Sequence, residues 1–273
     1  MENIIVITGA SSGIGQATAK LFAEKGWQVI ATMRNTEHQN ELKKYDNIKL
    51  LTLDVTNNAS IVKAKERILE QYDHIDALFN NAGFAINGFF ESTTNVQVHA
   101  QFETNVFGLM SVTRIFLPVF RSQHSGLIIN TSSMGGRITF PLLSLYHASK
   151  FAVEGFSESL SFELSSQNIR VKLIEPGSTI TDFSGRSMEI VDGNDLYDYR
   201  DFMMKYRQSR KNYLNSPRSS AEDVANQVFL AATDNSPKMR YVIGNDAINY
   251  IKFRTANGAD ESIQQIKKQF NIK

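Results

Sequence analysis

The chain has 273 residues, of which 42% are hydrophobic and 21% charged, and this composition is typical of a globular protein that buries a sizeable core. Because the sequence contains no cysteine, it excludes disulfides, thiolate metal sites and a cysteine nucleophile. The 29 basic and 28 acidic residues give a net charge of +1, which does not favour binding to a nucleic acid or an acidic membrane. Redox chemistry in such a chain would therefore need a bound organic cofactor.

The N-terminal residues and the lengths of the apolar runs bear on where the protein is expected. The N-terminus reads Met1-Glu2-Asn3, without a basic region, and no apolar run reaches the roughly 18 residues that a membrane-spanning helix needs. We therefore expect a cytoplasmic protein with neither a membrane nor a nucleic acid as partner. The nearest basic stripe is Lys267-Lys268 within residues 263–270, and we interpret that segment as a solvated terminal helix.

Short β-branched runs alternate with longer stretches of helical spacing along most of the chain. We predict strands at Asn3–Thr8, Trp27–Met33, Ile48–Leu53, Ala77–Asn80, Gly126–Asn130, Arg170–Glu175 and Tyr241–Ile243. This alternation indicates an α/β fold, with a mainly parallel seven-stranded sheet in one doubly wound Rossmann-type domain over residues 1–273.

One long segment breaks the alternation after the sixth predicted strand. Residues 178–220 separate that strand from the next helix and strand. A segment of this length in a compact domain is usually a lid or a binding element, so we predict a substrate lid. Its tyrosines and methionines could instead pack as a small helical hairpin with no ligand role.

The first predicted strand runs directly into a glycine turn, which a helix follows. Glycines at such a junction let the backbone turn tightly and let a pyrophosphate approach main-chain amides at the helix N-terminus. A turn with a purely structural role would use the same glycines. We predict a dinucleotide phosphate site with contacts from Gly9, Ser11, Ser12, Gly13, Ile14 and Gly15.

The end of the second predicted strand indicates which dinucleotide is preferred. An acidic side chain there would bind the ribose 2′-hydroxyl of NAD, but this chain carries Arg34. A guanidinium suits the 2′-phosphate of NADP through paired, charge-assisted hydrogen bonds, so we expect NADP(H). Arg34 as a solvated surface charge is the alternative, and Glu37 keeps NAD use open.

Tyr146 and Lys150 are four residues apart, a spacing that puts both side chains on one helix face. A nearby ammonium lowers the pKa of a tyrosine, which is otherwise about 10. Tyr45 and Lys49 share this spacing, but they lie in a polar approach to the third strand. The Tyr146 pair instead follows a strand at the carboxyl edge of the sheet, where open α/β folds bind ligands.

These features together resemble the short-chain dehydrogenase/reductase family, over nearly the whole chain. The matching segments are residues 8–15, Asn80-Asn81-Ala82-Gly83, Asn105, Ser133, Tyr146-x-x-x-Lys150 and Pro176-Gly177. Residues 31–35 and 175–177 further resemble the NADP-preferring branch that includes 17β-hydroxysteroid and retinol dehydrogenases.

The resemblance implies an NADP(H)-dependent oxidoreductase that interconverts a carbonyl and an alcohol. It implies that Tyr146 is the general acid/base, that Lys150 lowers its pKa and holds the nicotinamide ribose, and that Ser133 donates a hydrogen bond to the reacting oxygen. Asn105 is similar to the family residue that bends a helix and holds a water beside the lysine. Ser132 competes with Ser133, and a solvent-facing position is the alternative for Asn105.

The same resemblance implies further cofactor contacts, each of which could instead be a strand-end cap or turn. They are Asp54 and Val55 at the adenine, Asn81, Ala82 and Gly83 at the adenine ribose, and Pro176, Gly177 and Thr181 at the nicotinamide amide. The five histidines show no metal-ligand spacing, and hydride transfer needs no metal. A catalytically silent NADP-binding sensor or scaffold of the same fold is the alternative function.

The segment from Tyr146 to Ser165 is apolar on more than one helix face. One face should pack on the sheet, and the family commonly pairs this helix with its copy in a second subunit. We therefore expect a homo-dimer or homo-tetramer, unless a lid or a neighbouring helix covers the second face.

Segments that follow strand ends are rich in large apolar side chains, so we expect an apolar small-molecule substrate whose carbonyl or hydroxyl is the principal polar handle. Those side chains are Phe84, Ile86, Phe89, Phe90, Ile138, Phe140, Leu142, Leu143, Phe183, Met188, Ile190, Val191, Leu196, Tyr197, Phe202, Met203 and Met204. They could instead bury the 178–220 segment against the sheet. Arg137, Arg186 or Arg200, if turned inward, would select a carboxylate or phosphate.

Overall fold

Seven short apolar runs form one parallel sheet, as the alternating pattern predicts. The computed structural model describes residues 2–181, 187–193, 195–214 and 216–272. The strands are β1 Ile4–Ile7, β2 Gln28–Met33, β3 Ile48–Thr52, β4 Ala77–Asn80, β5 Gly126–Thr131, β6 Ile169–Pro176 and β7 Arg240–Ile243. Each predicted strand is confirmed to within one residue at either end.

The order of the strands shows a Rossmann-type, doubly wound fold. From edge to edge the sheet runs β7-β6-β5-β4-β1-β2-β3, and every neighbouring pair is parallel. From β1 the chain adds β2 and β3 towards one edge of the sheet, and it then returns to add β4, β5, β6 and β7 towards the other edge. The switch point therefore lies between β1 and β4, which are neighbours. Such a switch point opens a crevice beyond the carboxyl ends of the strands.

Helices cover both faces of this sheet. They are α1 Gly13–Glu24, α2 Asn58–Leu69, α3 Asn95–Phe102, α4 Leu109–Gln123, α5 Ser144–Ser165, α6 Arg200–Leu214, α7 Ala221–Thr233, α8 Asn245–Asn257 and α9 Ala259–Gln269. None of the helices in the described ranges is long and apolar enough to cross a bilayer.

The alternation of side chains along β1 explains the layers. Ile5 and Ile7 join a buried cluster with residues of α1 and α7, such as Phe22. Ile4 and Val6 point to the opposite face and join a second cluster with residues of α2, α4 and α5. A central strand that is buried on both faces must be apolar at every position, and β1 is.

The described part of the 178–220 segment contains three short strands and one α-helix rather than the helical hairpin considered as an alternative. Thr179–Ile180 pairs in parallel with Ser219–Ser220, and Met188–Ile190 pairs in parallel with Ala85–Asn87. Helix α6 lies between the second and the last of these strands. Phe183 and Arg186, which the sequence analysis named, lie outside the described residues.

The C-terminal segment is a helix, as the sequence indicates, but only one of its faces is solvated. Ile266 and Phe270 are buried and form a cluster with Tyr206 of α6 and with Leu142. The basic residues occupy one side of α9, while its apolar stripe packs inward. A short amphipathic helix of this kind is held by packing rather than by its own propensity.

A buried lysine anchors the sheet to α7. Lys172 of β6 is 1% exposed, and its Nζ donates hydrogen bonds to Ala231 O at 2.9 Å, to Asp234 Oδ1 at 2.6 Å and to Tyr241 Oη at 2.9 Å. Tyr241 in turn donates to the Asp234 carboxylate. Burial raises the pKa of Asp234, but the hydrogen bonds from Lys172 and Tyr241 outweigh it and hold that pKa well below its usual range.

We expect Asp234→Asn to lower the free energy of unfolding at pH 7 by about 3 kcal/mol, because it leaves the buried Lys172 ammonium without its counter-charge. Because the pKa of Asp234 is lower in the folded state than in the unfolded state, its carboxylate stabilises the fold at pH values above the unfolded pKa of about 4. That contribution is lost as the pH falls further. Urea denaturation of wild type and variant should therefore show a difference that shrinks in acid. Glu222→Gln, at an exposed position on the same helix, is the control; a pH-independent loss in Asp234→Asn would contradict the ion-pair explanation.

Candidate active site

A cavity of about 670 Å³ lies beyond the carboxyl ends of the strands. Gly15 and Asn105 apart, every residue that the sequence analysis named as catalytic or cofactor-binding lines it. These residues are Gly9, Ser11, Ser12, Gly13, Ile14, Arg34, Asp54, Val55, Asn81, Ala82, Gly83, Ser133, Tyr146, Lys150, Pro176, Gly177 and Thr181. The structure thus brings together positions that are spread over more than half of the chain.

The glycine loop forms one end of this cavity. Gly9 has a φ of +67°, and a Cβ there would stand 2.8 Å from the Ala82 Cα. A Cβ at Gly15 would stand 2.4 Å from the Gly9 carbonyl oxygen, so Gly15 packs behind the loop. Helix α1 starts at Gly13, and the Ser12 side chain makes no capping hydrogen bond to its first amides. Those amides are suited to binding an anion.

Polar side chains hold the glycine loop in place. Thr8 Oγ1 accepts a hydrogen bond from the Asn81 amide at 3.0 Å, and Asn81 Nδ2 donates to the Thr8 and Gly9 carbonyls, both at 3.1 Å. On the other side, the buried Gln39 donates from Nε2 to Ser11 O at 2.8 Å. Sequence reasoning missed Gln39, since an isolated glutamine in a polar stretch carries no local signal.

Arg34 directly follows β2 and lines the cavity with an exposed side chain. Among the described residues it has no hydrogen-bond or ion-pair partner. Glu37 does not line the cavity; its amide donates to Asn35 Oδ1 at 2.8 Å, and its carbonyl accepts from Lys43 Nζ at 3.1 Å. The basic side chain, not the acidic one, therefore faces the cavity.

Helix α5 places Tyr146 and Lys150 on one face, as the spacing predicts. Lys150 Nζ lies 5.8 Å from the centroid of the Tyr146 ring. The hydroxyls of Tyr146 and Ser133 are hydrogen-bonded to each other, and Ser133 Oγ also accepts from the Gly135 amide at 3.0 Å. The Ser132 hydroxyl is buried, without a hydrogen-bond partner in the described part of the chain. Ser133 rather than Ser132 thus meets the tyrosine.

Burial is the largest influence on the pKa of Tyr146 and on the pKa of Lys150. It raises the pKa of Tyr146, against a lowering from the Ser133 hydrogen bond. It lowers the pKa of Lys150 to about 8, against the attraction of Glu154, while Lys150 Nζ donates to Thr131 O at 2.7 Å. The direction for Tyr146 is the opposite of the lowering expected of a neighbouring ammonium, because burial disfavours the phenolate more than the Ser133 hydrogen bond favours it.

Asn105 lies in a π-helical segment, Glu103–Gly108, between α3 and α4. It is 1% exposed, so the solvent-facing alternative is wrong. Its Oδ1 accepts from the Phe84 amide at 3.0 Å, and its Nδ2 donates to Phe84 O at 2.9 Å and to Ser149 Oγ at 3.1 Å. Asn105 thereby ties the loop after β4 to α5, directly behind the cavity wall.

His147 is a second residue that sequence reasoning missed, because it was weighed only as a metal ligand. Its Nε2 accepts from the Phe140 amide at 2.8 Å, so the proton sits on Nδ1, which donates to Gly135 O at 2.9 Å. Burial lowers the pKa of His147 to about 4. A neutral imidazole thus joins the turn after Ser133 to the start of α5. In the described ranges, no three acidic or histidine side chains are grouped to hold a metal ion.

Some of the apolar residues named from the sequence line the cavity, and others bury the 178–220 segment, which are the two roles considered for them. Phe84, Phe140, Leu143 and Met188 line the cavity. Others pack elsewhere: Phe89, Phe202 and Met203, for example, contact the cluster around Tyr206 and Phe270 and so bury the 178–220 segment.

Two of the three arginines named from the sequence turn away from the cavity. Arg137 Nη1 lies 3.5 Å from Oε2 of the buried Glu175. The Arg200 guanidinium lies 4.4 Å above the centre of the Tyr197 ring. Arg210 of α6, which the sequence analysis did not name, lines the cavity instead.

The chain is similar to known proteins in sequence and in structure. The 3-ketodihydrosphingosine reductase of Bacteroides thetaiotaomicron is 39% identical over 203 residues, which cover 74% of this chain and 73% of the relative. A short-chain dehydrogenase from Streptomyces avermitilis is 30% identical, with a TM-score of 0.84 over 99% of this chain and 96% of the other. A serine dehydrogenase complexed with NADP+ is 31% identical, with a TM-score of 0.72 over 88% of this chain and 94% of the other.

Solved structures that share this fold hold either NADP or NAD, so the fold alone does not select between them. The family model described as short chain dehydrogenase matches residues 3–190. Because that match spans more than half of the chain, the protein belongs to the short-chain dehydrogenase family.

Proposed function

We propose that this protein is an NADP(H)-dependent oxidoreductase that interconverts a carbonyl and an alcohol on a small molecule with an apolar body. The observation that carries the proposal is the Tyr146 hydroxyl, which is hydrogen-bonded to Ser133 and lies close to Lys150 in the cavity that the glycine loop lines. A silent sensor or scaffold would bind a nucleotide without needing this trio. The experiment that tests the proposal is NADPH oxidation with a panel of steroids, quinones, aldehydes and keto acids.

The residues present fit a nicotinamide dinucleotide. The glycine loop leaves no room for a Cβ at Gly9, and the first amides of α1 lack a side-chain cap, which suits a pyrophosphate. Arg34 supports NADP over NAD, since a guanidinium without a partner among the described residues suits a 2′-phosphate. When bound, the cofactor would supply the hydride in reduction or accept it in oxidation. The resemblance of residues 31–35 to the 17β-hydroxysteroid and retinol dehydrogenase branch supports the same preference.

The chain's own side chains would handle the proton. The raised pKa of Tyr146 keeps its hydroxyl protonated at neutral pH, the form that donates to a carbonyl oxygen in reduction. In oxidation the same oxygen takes the proton back from the alcohol. Ser133 would donate a hydrogen bond to the reacting oxygen, where negative charge develops. Lys150 is charged below about pH 8 and would stabilise the phenolate that forms.

The 178–220 segment is proposed as the substrate lid. Met188 from its short strand and Arg210 from its helix line the cavity that Tyr146 also lines. Residues of this segment thus face the place where a substrate would react.

We expect Tyr146→Phe to reduce kcat/KM by about 10² to 10⁴ while the Kd for NADPH changes little, because only the transferable proton is removed. NADPH oxidation and a fluorescence titration measure the two quantities. Tyr45→Phe is the matched control, since Tyr45 has the same spacing to a lysine but its hydroxyl donates to Glu24 outside the cavity. A Tyr146→Phe enzyme with near wild-type turnover would rule out this mechanism.

Arg34→Ala should weaken NADPH binding about tenfold or more and leave NADH binding nearly unchanged, because the lost hydrogen bonds serve a phosphate that NADH lacks. Kd values for both cofactors measure the change, with Arg67→Ala, at an exposed position on α2, as the control. Equal effects on both cofactors would exclude Arg34 from the site. Loss of NADH binding in Glu37→Gln would instead support NAD.

The proposed oligomer depends on the outer face of α5. Phe162 there is 73% exposed and Phe151 is 40% exposed, and no atom lies within 4 Å of a Cβ built at Gly155. Phe151, Gly155 and Phe162 share this face with the exposed Glu158, and the lack of a side chain at Gly155 would allow close approach of a second copy of α5.

We expect multi-angle light scattering at micromolar concentration to give a dimer or a tetramer for the wild type, and a smaller species for Phe162→Glu, because a charge would be buried in the interface. Leu230→Glu, on the exposed face of α7, is the control and should keep the wild-type mass. A monomeric wild type would contradict the proposed assembly.

A further inference from the structure

Helix α6 turns one face towards the cavity. Tyr206, Arg210 and Tyr213 line it, and their spacing of four and three residues places them on a single side of the helix. Tyr206 is buried, and the Tyr213 hydroxyl donates to Asp246 Oδ2 at 2.9 Å. Of the three side chains, Arg210 is therefore the one that brings a charge to this wall.

Arg210 lacks a counter-charge in the described part of the chain. Its Nη2 lies 3.9 Å from Met188 Sδ, and its guanidinium lies 6.0 Å from the centroid of the Tyr206 ring. Both contacts are weak compared with a charge-assisted hydrogen bond to an oxygen.

The surroundings make an unpaired charge costly. The half-buried guanidinium shares the cavity wall with Phe140, Met188 and Phe270. Desolvating a charge against apolar side chains costs free energy unless an opposite charge compensates. A guanidinium so placed binds a planar carboxylate or a phosphate through two parallel hydrogen bonds.

We propose that Arg210 binds an acidic group of the substrate, which is therefore an amphiphile: an apolar body with a reacting carbonyl or hydroxyl near Tyr146 and a carboxylate or phosphate at α6. This inference rests on the proposed function. It adds a second polar handle to the single one that the sequence analysis expected. The distance between the two handles is set by the cavity between α5 and α6.

A cationic substrate group is less well supported. Glu189 also lines the cavity, but it is exposed on a short strand at the rim, and its Oε1 already accepts a hydrogen bond from Gln97 Nε2 at 2.6 Å. A carboxylate that is hydrated and already hydrogen-bonded gains little from an added ammonium.

The kinetic test compares nonanal, azelaic semialdehyde and the methyl ester of that acid as substrates of the NADPH-loaded enzyme. We expect the wild type to prefer the acid over its ester by tenfold or more in kcat/KM. Arg210→Met should abolish the preference for the acid over its ester, while the Kd for NADPH stays that of the wild type. Arg207→Met, at an exposed position on the same helix, is the matched control and should behave as the wild type.

Equal rates on acid and ester in the wild type, or a preference that persists in Arg210→Met, would overturn the inference. Weaker NADPH binding in Arg210→Met would overturn it as well, since Arg210 would then serve the cofactor. A binding measurement separates this inference from the proposed function because it needs no turnover.

In the binding arm, calorimetry compares nonanoate, methyl nonanoate and nonylamine on wild type and Arg210→Met. We expect nonanoate to bind at least tenfold more tightly than the other two, with this advantage lost in the variant. Tighter binding of nonylamine would overturn the inference in favour of Glu189. If nonanoate behaves as expected while no aldehyde is reduced, the proposed function fails and the acidic-group site stands.

Discussion

The close contact between the turns after β1 and β4 is the constraint on which the site depends. Gly9 and Ala82 lie so close together that no side chain fits between them. The Thr8 hydroxyl accepts a hydrogen bond from the Asn81 amide in the turn after β4. The contact joins the two strands at the switch point. It therefore sets the width of the crevice before any ligand enters, and every other part of the site is built around it.

The opposite wall depends on α5 and on the groups that hold its first turns. His147 links the helix to the turn that carries Ser133, and Ser149 accepts a hydrogen bond from Asn105, which in turn holds the loop after β4. These anchors point away from the cavity, while Tyr146 and Lys150 point into it. Helix α5 thus presents Tyr146 and Lys150 to the cavity on one side and is held in place by His147 and Ser149 on the other.

The sheet, the glycine loop and the Tyr146–Lys150 pair could be predicted from the sequence, because each depends on spacing within a few residues of chain. The role of Arg210 could not be predicted, since nothing in the local sequence distinguishes it from Arg200. Arg200 lies ten residues before Arg210 and stacks on Tyr197. Phe270 was misjudged for the same reason: its burial depends on α6, some sixty residues away. Residues whose role is set by a distant partner need the three-dimensional structure.

The pairing of Thr179–Ile180 with Ser219–Ser220 brings the two ends of the 178–220 segment side by side. A segment whose ends meet in this way can change its length and sequence with little strain on the sheet beneath it. Exchange of α6 and its flanks would change the side chains that this segment presents to the cavity and leave the glycine loop untouched. The fold thus separates the part of the cavity wall that the sheet supports from a part that can be replaced as a unit, which makes this protein a suitable scaffold for reshaping the cavity.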